Sequence, residues 1–148
     1  MTYTIKEVAA KVNLSIYTLR FYDKQGLLPF VARNAAGYRE FTVGDLNLLK
    51  TICCLKNTGM KIKDIRKYID YVMAGPASVK QRRELLLKHR QEVVAQQKKI
   101  EQNLAEVDYK INMYTASDAE KSVSNEIALA IADKVANHLP NPYEMLQK

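Results

Sequence analysis

Val79, Leu86, Val93, Ile100, Val107 and Tyr114 stand seven residues apart without a miss, and Leu104 and Ile111 add a second seam position. No Gly or Pro interrupts residues 77–139. This heptad pattern, sustained over about five repeats, is that of a coiled-coil helix. It predicts one helix over 78–115, about 57 Å long at about 1.5 Å per residue. The other seam positions, Arg83, Arg90 and Gln97, make the stripe weaker in its N-terminal half. Leu85, Leu87 and Val94 widen it there, as expected of a helix that also packs on something besides its partner. No other segment is long enough to match this helix. A second copy of the chain is the expected partner, which makes the protein a homodimer.

Ahead of the rod the texture is that of short, capped helices. Thr4, with Glu7 three residues on, opens an amphipathic helix carrying Ile5, Val8, Ala9 and Val12, ended at Asn13-Leu14. Ser15 caps a second helix to about Gln25, stopped by Gly26. Its apolar side is Ile16, Leu19 and Tyr22, and its other side offers Tyr17, Thr18, Arg20, Asp23 and Lys24. Two short helices joined tightly read as a helix-turn-helix. Arg33-Asn34-Ala35-Ala36-Gly37, flanked by Val31 and Phe41, predicts a small β-hairpin beside them, a wing. Thr42 caps a third helix, 43–57, with Asp45 in its first turn. A fourth, 62–73, carries Ile62, Ile65, Ile69 and Val72 on one side, and Gly75-Pro76 closes the segment. The expected fold is mostly α: a winged helix-turn-helix domain over 1–75, a coiled-coil dimerisation helix over 76–115, and a short tail over 116–148. The tail holds one more helix, to about Asn137.

Charge follows that division. Residues 1–75 hold 12 Lys/Arg against 6 Asp/Glu, residues 76–115 hold 8 against 5, and residues 116–148 hold 3 against 5. The basic half calls for a polyanion. No apolar run approaches the roughly 20 residues a membrane span needs, and MTYTIKEVAAK lacks the apolar core of a secretory signal. With two cysteines and no such signal, the expected setting is the reducing cytoplasm. An enzyme is disfavoured, since there is no phosphate-cradling glycine loop, no carboxylate pair on one face and no Cys–His pairing.

Ile5-Lys6-Glu7-Val8-Ala9, Leu19-Arg20-Phe21-Tyr22-Asp23-Lys24-Gln25-Gly26-Leu27-Leu28-Pro29 and Gly37-Tyr38-Arg39-Glu40-Phe41 resemble the MerR (mercury-resistance-regulator) family. The resemblance covers residues 1–115. It implies an antiparallel coiled-coil homodimer on a pseudo-palindromic site in double-stranded promoter DNA, distorting an overlong spacer so that RNA polymerase can engage. By matched position, Ser15, Tyr17, Thr18 and Arg20 belong to the helix entering the major groove. Arg20 either reads a guanine edge or grips a phosphate. Tyr22, Tyr38 and Arg39 match residues that hold the phosphate backbone, with a core role for Tyr22 as the alternative. A wing arginine is expected to have little to pack against. Lys61, opening the fourth helix, is expected to hold a phosphate at a helix N-terminus.

The signal is read from the cysteines. Ser78-Val79-Lys80 stands where metal-sensing members resemble one another in carrying a cysteine, and His89 and His138 read as isolated surface residues, so no metal and no cofactor are expected. Cys53 lies over Leu49 and Leu46 and reads as a small core residue; Cys54 lies on a polar stripe with Lys50, Thr51, Asn57 and Thr58. Cys54-Leu55-Lys56-Asn57-Thr58-Gly59-Met60 resembles the aldehyde- and nitrosative-stress-responsive branch of the family, which implies an electrophile sensor at Cys54. Two alternatives stand beside it: a regulator with a non-covalent small-molecule ligand and structural cysteines, and a coiled-coil scaffold whose basic half binds a protein.

Overall fold

The computed structural model describes residues 1–147. The elements run α1 (Ile5–Val12), α2 (Ile16–Lys24), β1 (Ala32–Arg33), β2 (Arg39–Glu40), α3 (Val43–Asn57), α4 (Ile62–Met73), α5 (Val79–Thr115) and α6 (Ala119–Ala136). Short 3-10 turns occupy Pro76–Ser78 and Glu144–Gln147. The chain packs as two compact units, Met1–Gln96 and a second from Gln97 onward. This is the winged helix-turn-helix followed by a long helix that the sequence predicts.

The first unit is built on helices whose ends are chemically fixed. At α1 the Thr4 hydroxyl accepts from the Glu7 N–H at 3.3 Å while a Glu7 carboxylate oxygen accepts from the Thr4 N–H at 2.7 Å. That backbone hydrogen bond leads the causes that hold the Glu7 carboxyl below the usual carboxylate range. Thr42 and Asp45 repeat the arrangement at α3, at 3.3 and 2.8 Å. These reciprocal bonds satisfy N–H groups that a helix start otherwise leaves bare.

Between the caps, apolar side chains at helical spacing make one core. Val8, Leu19, Leu27, Leu49, Ile52, Ile65 and Ile69 are fully buried, and Leu28 and Phe41 nearly so. Burying one such side chain stabilises the fold by about 1.5–3 kcal/mol. Leu85 and Leu86, on the early turns of α5, pack against this core. The widening of the stripe therefore has a cause for Leu85, whereas Leu87 remains 53% exposed. Leu86, counted as a seam position, also lies on the core.

The corner from α4 into α5 is tied by two side chains. Ser78 is buried, and its hydroxyl donates to the carbonyls of Tyr71 and Gly75. Arg82 donates to the carbonyls of Tyr71, Val72 and Gly75 at 3.2, 3.1 and 3.0 Å, which places a cation at the C-terminal end of α4.

One expectation fails here. His89 is not a surface residue: it is 8% exposed, with Nε2 at 2.7 Å from the Thr58 hydroxyl. It lies three and four residues after Leu86 and Leu85, on the face of α5 that packs on the core. His138 is exposed, as expected.

In the second unit α6 has Val123, Ile127 and Ile131 half-buried, and Lys110 of α5 pairs with Glu126 at 3.5 Å.

The caps should be measurable. Thr42→Ala is expected to cost about 1 kcal/mol, read as a lower urea midpoint at unchanged slope; an unchanged midpoint would mean the α3 cap carries no stability.

Candidate nucleic-acid interface

The surface outside the core is set by what the core takes. On α2, Leu19 and Tyr22 point inward. That leaves Tyr17 80% exposed and Arg20 exposed on the outer face. Asn13 adopts the left-handed conformation (φ 54°, ψ 45°) that turns α1 into α2. Ser15 then caps α2, its hydroxyl accepting from the Thr18 N–H at 3.0 Å and meeting the Thr18 hydroxyl at 2.8 Å. Ser15 and Thr18 thus hold the start of the helix that presents Tyr17 and Arg20.

Tyr22 joins the core. It is 5% exposed, in the cluster with Leu19 and Leu27, and burial pushes its phenol up from the ordinary value. Its ring therefore packs in the core, one of the two roles its position allows. Phe21 beside it is 40% exposed, with its ring centroid 6.2 Å from that of Tyr22. Phe21 is an outward aromatic that the sequence reading passed over.

The wing is a two-stranded antiparallel ribbon with Ala32 opposite Glu40 and Arg33 opposite Arg39. Asn34 closes its turn: the side-chain carbonyl accepts from the N–H groups of Ala36 and Tyr38, both at 3.0 Å. Gly37, at φ +84°, supplies the left-handed residue that the turn needs. At the base, Tyr3 and Phe41 exchange backbone hydrogen bonds of 2.8 and 2.9 Å, so the N-terminus adds a bridge to the ribbon. Tyr38 projects from the ribbon, 72% exposed.

Arg39 departs from expectation. It does not lack packing: Nε donates to one Asp23 carboxylate oxygen at 3.2 Å, one terminal nitrogen pairs with the other oxygen, and the second donates to the Val31 carbonyl. Three of its five N–H groups are engaged, which leaves two for another acceptor. Arg33 reaches the same carboxylate at 3.6 Å. A cleft of about 470 Å³ lies between α2 and the wing, and Arg20, Asp23, Arg33, Tyr38 and Arg39 line it. No sequence signal links Asp23 to Arg39, because their pairing exists only once the wing folds against α2.

Lys61 is exposed at the N-cap of α4 and makes no side-chain cap, so no side chain satisfies the N–H groups of that first turn. The two cysteines differ as their stripes predict. Cys53 is half-buried against the core, and burial pushes its thiol up. Cys54 is exposed. One turn on, the Thr58 hydroxyl donates to the Cys54 carbonyl at 2.8 Å and meets His89 of α5. Among the described residues no three His, Cys, Asp or Glu side chains gather where they could hold a metal ion.

Comparison with known proteins bears on this surface. Residues 3–72 match the family described as MerR HTH family regulatory protein, and residues 46–109 match the one described as MerR, DNA binding. An uncharacterised HTH-type transcriptional regulator of Haemophilus influenzae is 41% identical over 123 residues, spanning 83% of this chain and 91% of its own. The HTH-type transcriptional regulator AdhR of Bacillus subtilis is 31% identical over 61% of this chain and 64% of its own. Among solved structures, HiNmlR, described as a MerR family regulator lacking the sensor domain and bound to promoter DNA, is similar at TM-score 0.73. It is 40% identical over 80% of this chain and 94% of its own.

The two tyrosines should separate in a stability assay. Tyr22→Ala is expected to cost about 3–5 kcal/mol, as for other buried aromatics, whereas Tyr38→Ala should stay within about 0.5 kcal/mol. Equal losses in urea unfolding would contradict the burial described for this pair.

Proposed function

Because the chain belongs to the MerR family of helix-turn-helix regulatory proteins, in the branch of NmlR and AdhR, we propose that it is a homodimeric promoter-binding transcription regulator that answers reactive aldehydes and related electrophiles through Cys54. The observation that carries the DNA-binding reading is the surface shared by α2 and the wing, where Arg20, Arg33 and Tyr38 stand outward beside one cleft and Tyr17 is exposed on the same helix as Arg20. In this reading residues 1–75 bind DNA, 76–115 dimerise and 116–148 form a tail. Tyr17, Thr18 and Arg20 enter the major groove, with Ser15 fixing the helix end. Tyr38, Lys61 and the two remaining N–H groups of Arg39 hold phosphates, which position the protein without reading sequence. Tyr22 supports them from the core.

Two such heads, held apart by a paired α5, impose bend and twist on the duplex between them. Distorting a site of that length costs a few kcal/mol, and phosphate contacts from both protomers offset it. RNA polymerase then meets a reshaped promoter. No helix among the described residues is long and apolar enough to cross a membrane. A promoter-binding role sets the protein in the cytoplasm.

The exposed Cys54 attacks an aldehyde carbonyl as thiolate: a C–S bond forms, the carbonyl π pair moves to oxygen, and the proton released by the thiol ends there, giving a hemithioacetal. The added group sits on the last turn of α3, whose Thr58 hydroxyl joins the Cys54 carbonyl to His89 on α5. A shift in that turn is passed to the helix that spaces the heads, a two-state element biased by packing.

A second reading, a non-covalent ligand with structural cysteines, draws on a cleft of about 490 Å³ whose lining includes Tyr71, Leu85, Lys88 and His89. Promoter output after formaldehyde or methylglyoxal, with mass spectrometry of the protein, decides between them. We expect wild type to gain one aldehyde at Cys54 and change promoter output, and Cys54→Ser to do neither. Full response by Cys54→Ser would remove that residue from the mechanism.

A further inference from the structure

Two acids line the cleft beside the wing: Glu40, on the wing itself, accepts from the Asn34 amide at 3.1 Å, and Asp23 stands on α2 among the cations Arg20, Arg33 and Arg39. Asp23 lies one turn after Arg20, so the two side chains share a face, and both line the cleft. On a surface that faces phosphates, a carboxylate such as Asp23 is unfavourable by simple Coulomb repulsion. The reason for its presence lies in the wing. Each strand has two residues, and a ribbon that short is marginal alone. Its register also sets Arg33 directly opposite Arg39, and like charges across a ladder destabilise it.

Asp23 answers both problems. It takes two bonds from Arg39 and stands 3.6 Å from Arg33. The base of the ribbon is held by the Tyr3–Phe41 bridge and the buried Phe41 ring. The side facing α2 is held by Asp23, with the Val31 carbonyl fixing the rest of the Arg39 guanidinium. We propose that Asp23 is a positioning residue for DNA recognition: acting through Arg39, it fixes the wing against the recognition helix so that both engage one stretch of duplex, and it gives up local attraction for DNA in return for specific fit. This rests on the DNA-binding reading above.

The proposal predicts an effect opposite in sign to charge removal. The probes are a duplex of the protein's own upstream region and a scrambled duplex of equal length. Asp23→Asn keeps the size and an acceptor but loses the charge. Its affinity for the upstream duplex should fall about fivefold, the scale of a well-formed ion pair. Its affinity for the scrambled duplex should hold or rise. An unchanged thermal midpoint shows that the fold is kept. In an Arg39→Ala background the same substitution should no longer weaken specific binding, because the group it acts through is gone. Asp23→Asn binding both duplexes more tightly, or weakening specific binding just as much without Arg39, overturns the proposal. A wild-type chain that holds both duplexes equally, or neither, overturns the reading beneath it.

Discussion

The seam of α5 is the constraint on which the rest depends. Val79, Ile100, Leu104, Val107, Ile111 and Tyr114 are each between 51% and 65% exposed. Hydrocarbon at that spacing is worth about 25 cal/mol for every Å² withdrawn from water. An apolar stripe left open on a helix is the mark of a partner surface. Where Leu85 and Leu86 pack on the core, the same helix is already occupied by its own chain. From Ile100 to Tyr114 the seam is open, and the proposed homodimer pairs there. In the proposed dimer, the length of the rod is what sets the distance between the two heads.

Much of the fold was legible because its signals are local. The Thr4–Glu7 and Thr42–Asp45 boxes, the Ser15 cap, the Asn13 turn and the Gly37 hairpin each rest on residues within a few positions of one another. The apolar periods of α1, α4 and α5 likewise announce a face without knowledge of what covers it. What escaped depends on contacts between distant segments. His89 reads as a polar residue on a polar helix until α3 brings Thr58 against it. Arg39 reads as a bare wing cation until α2 brings Asp23 beside it. Tyr22 has helical spacing with Leu19, yet its hydroxyl kept a surface role open in the sequence; packing puts its ring inside.

The candidate site inherits its geometry from those same contacts. Leu19 and Tyr22 rotate α2 so that Tyr17 and Arg20 face outward, and Phe41 fixes the foot of the wing. Adjacent Cys53 and Cys54 point about 100° apart on one helix, so one is drawn against the core and the other is left accessible. Thr58 ties the turn after the accessible one to α5. Recognition surface, cysteine and rod are thus joined through α3 and the start of α5, within the unit Met1–Gln96.

Sedimentation equilibrium of the full chain tests this most directly. Pairing through the α5 seam predicts a single species of twice the 16.9 kDa chain mass, held on dilution and lost when Leu104 and Ile111 are both replaced by Asp. A wild-type species at 16.9 kDa under the same conditions would contradict it.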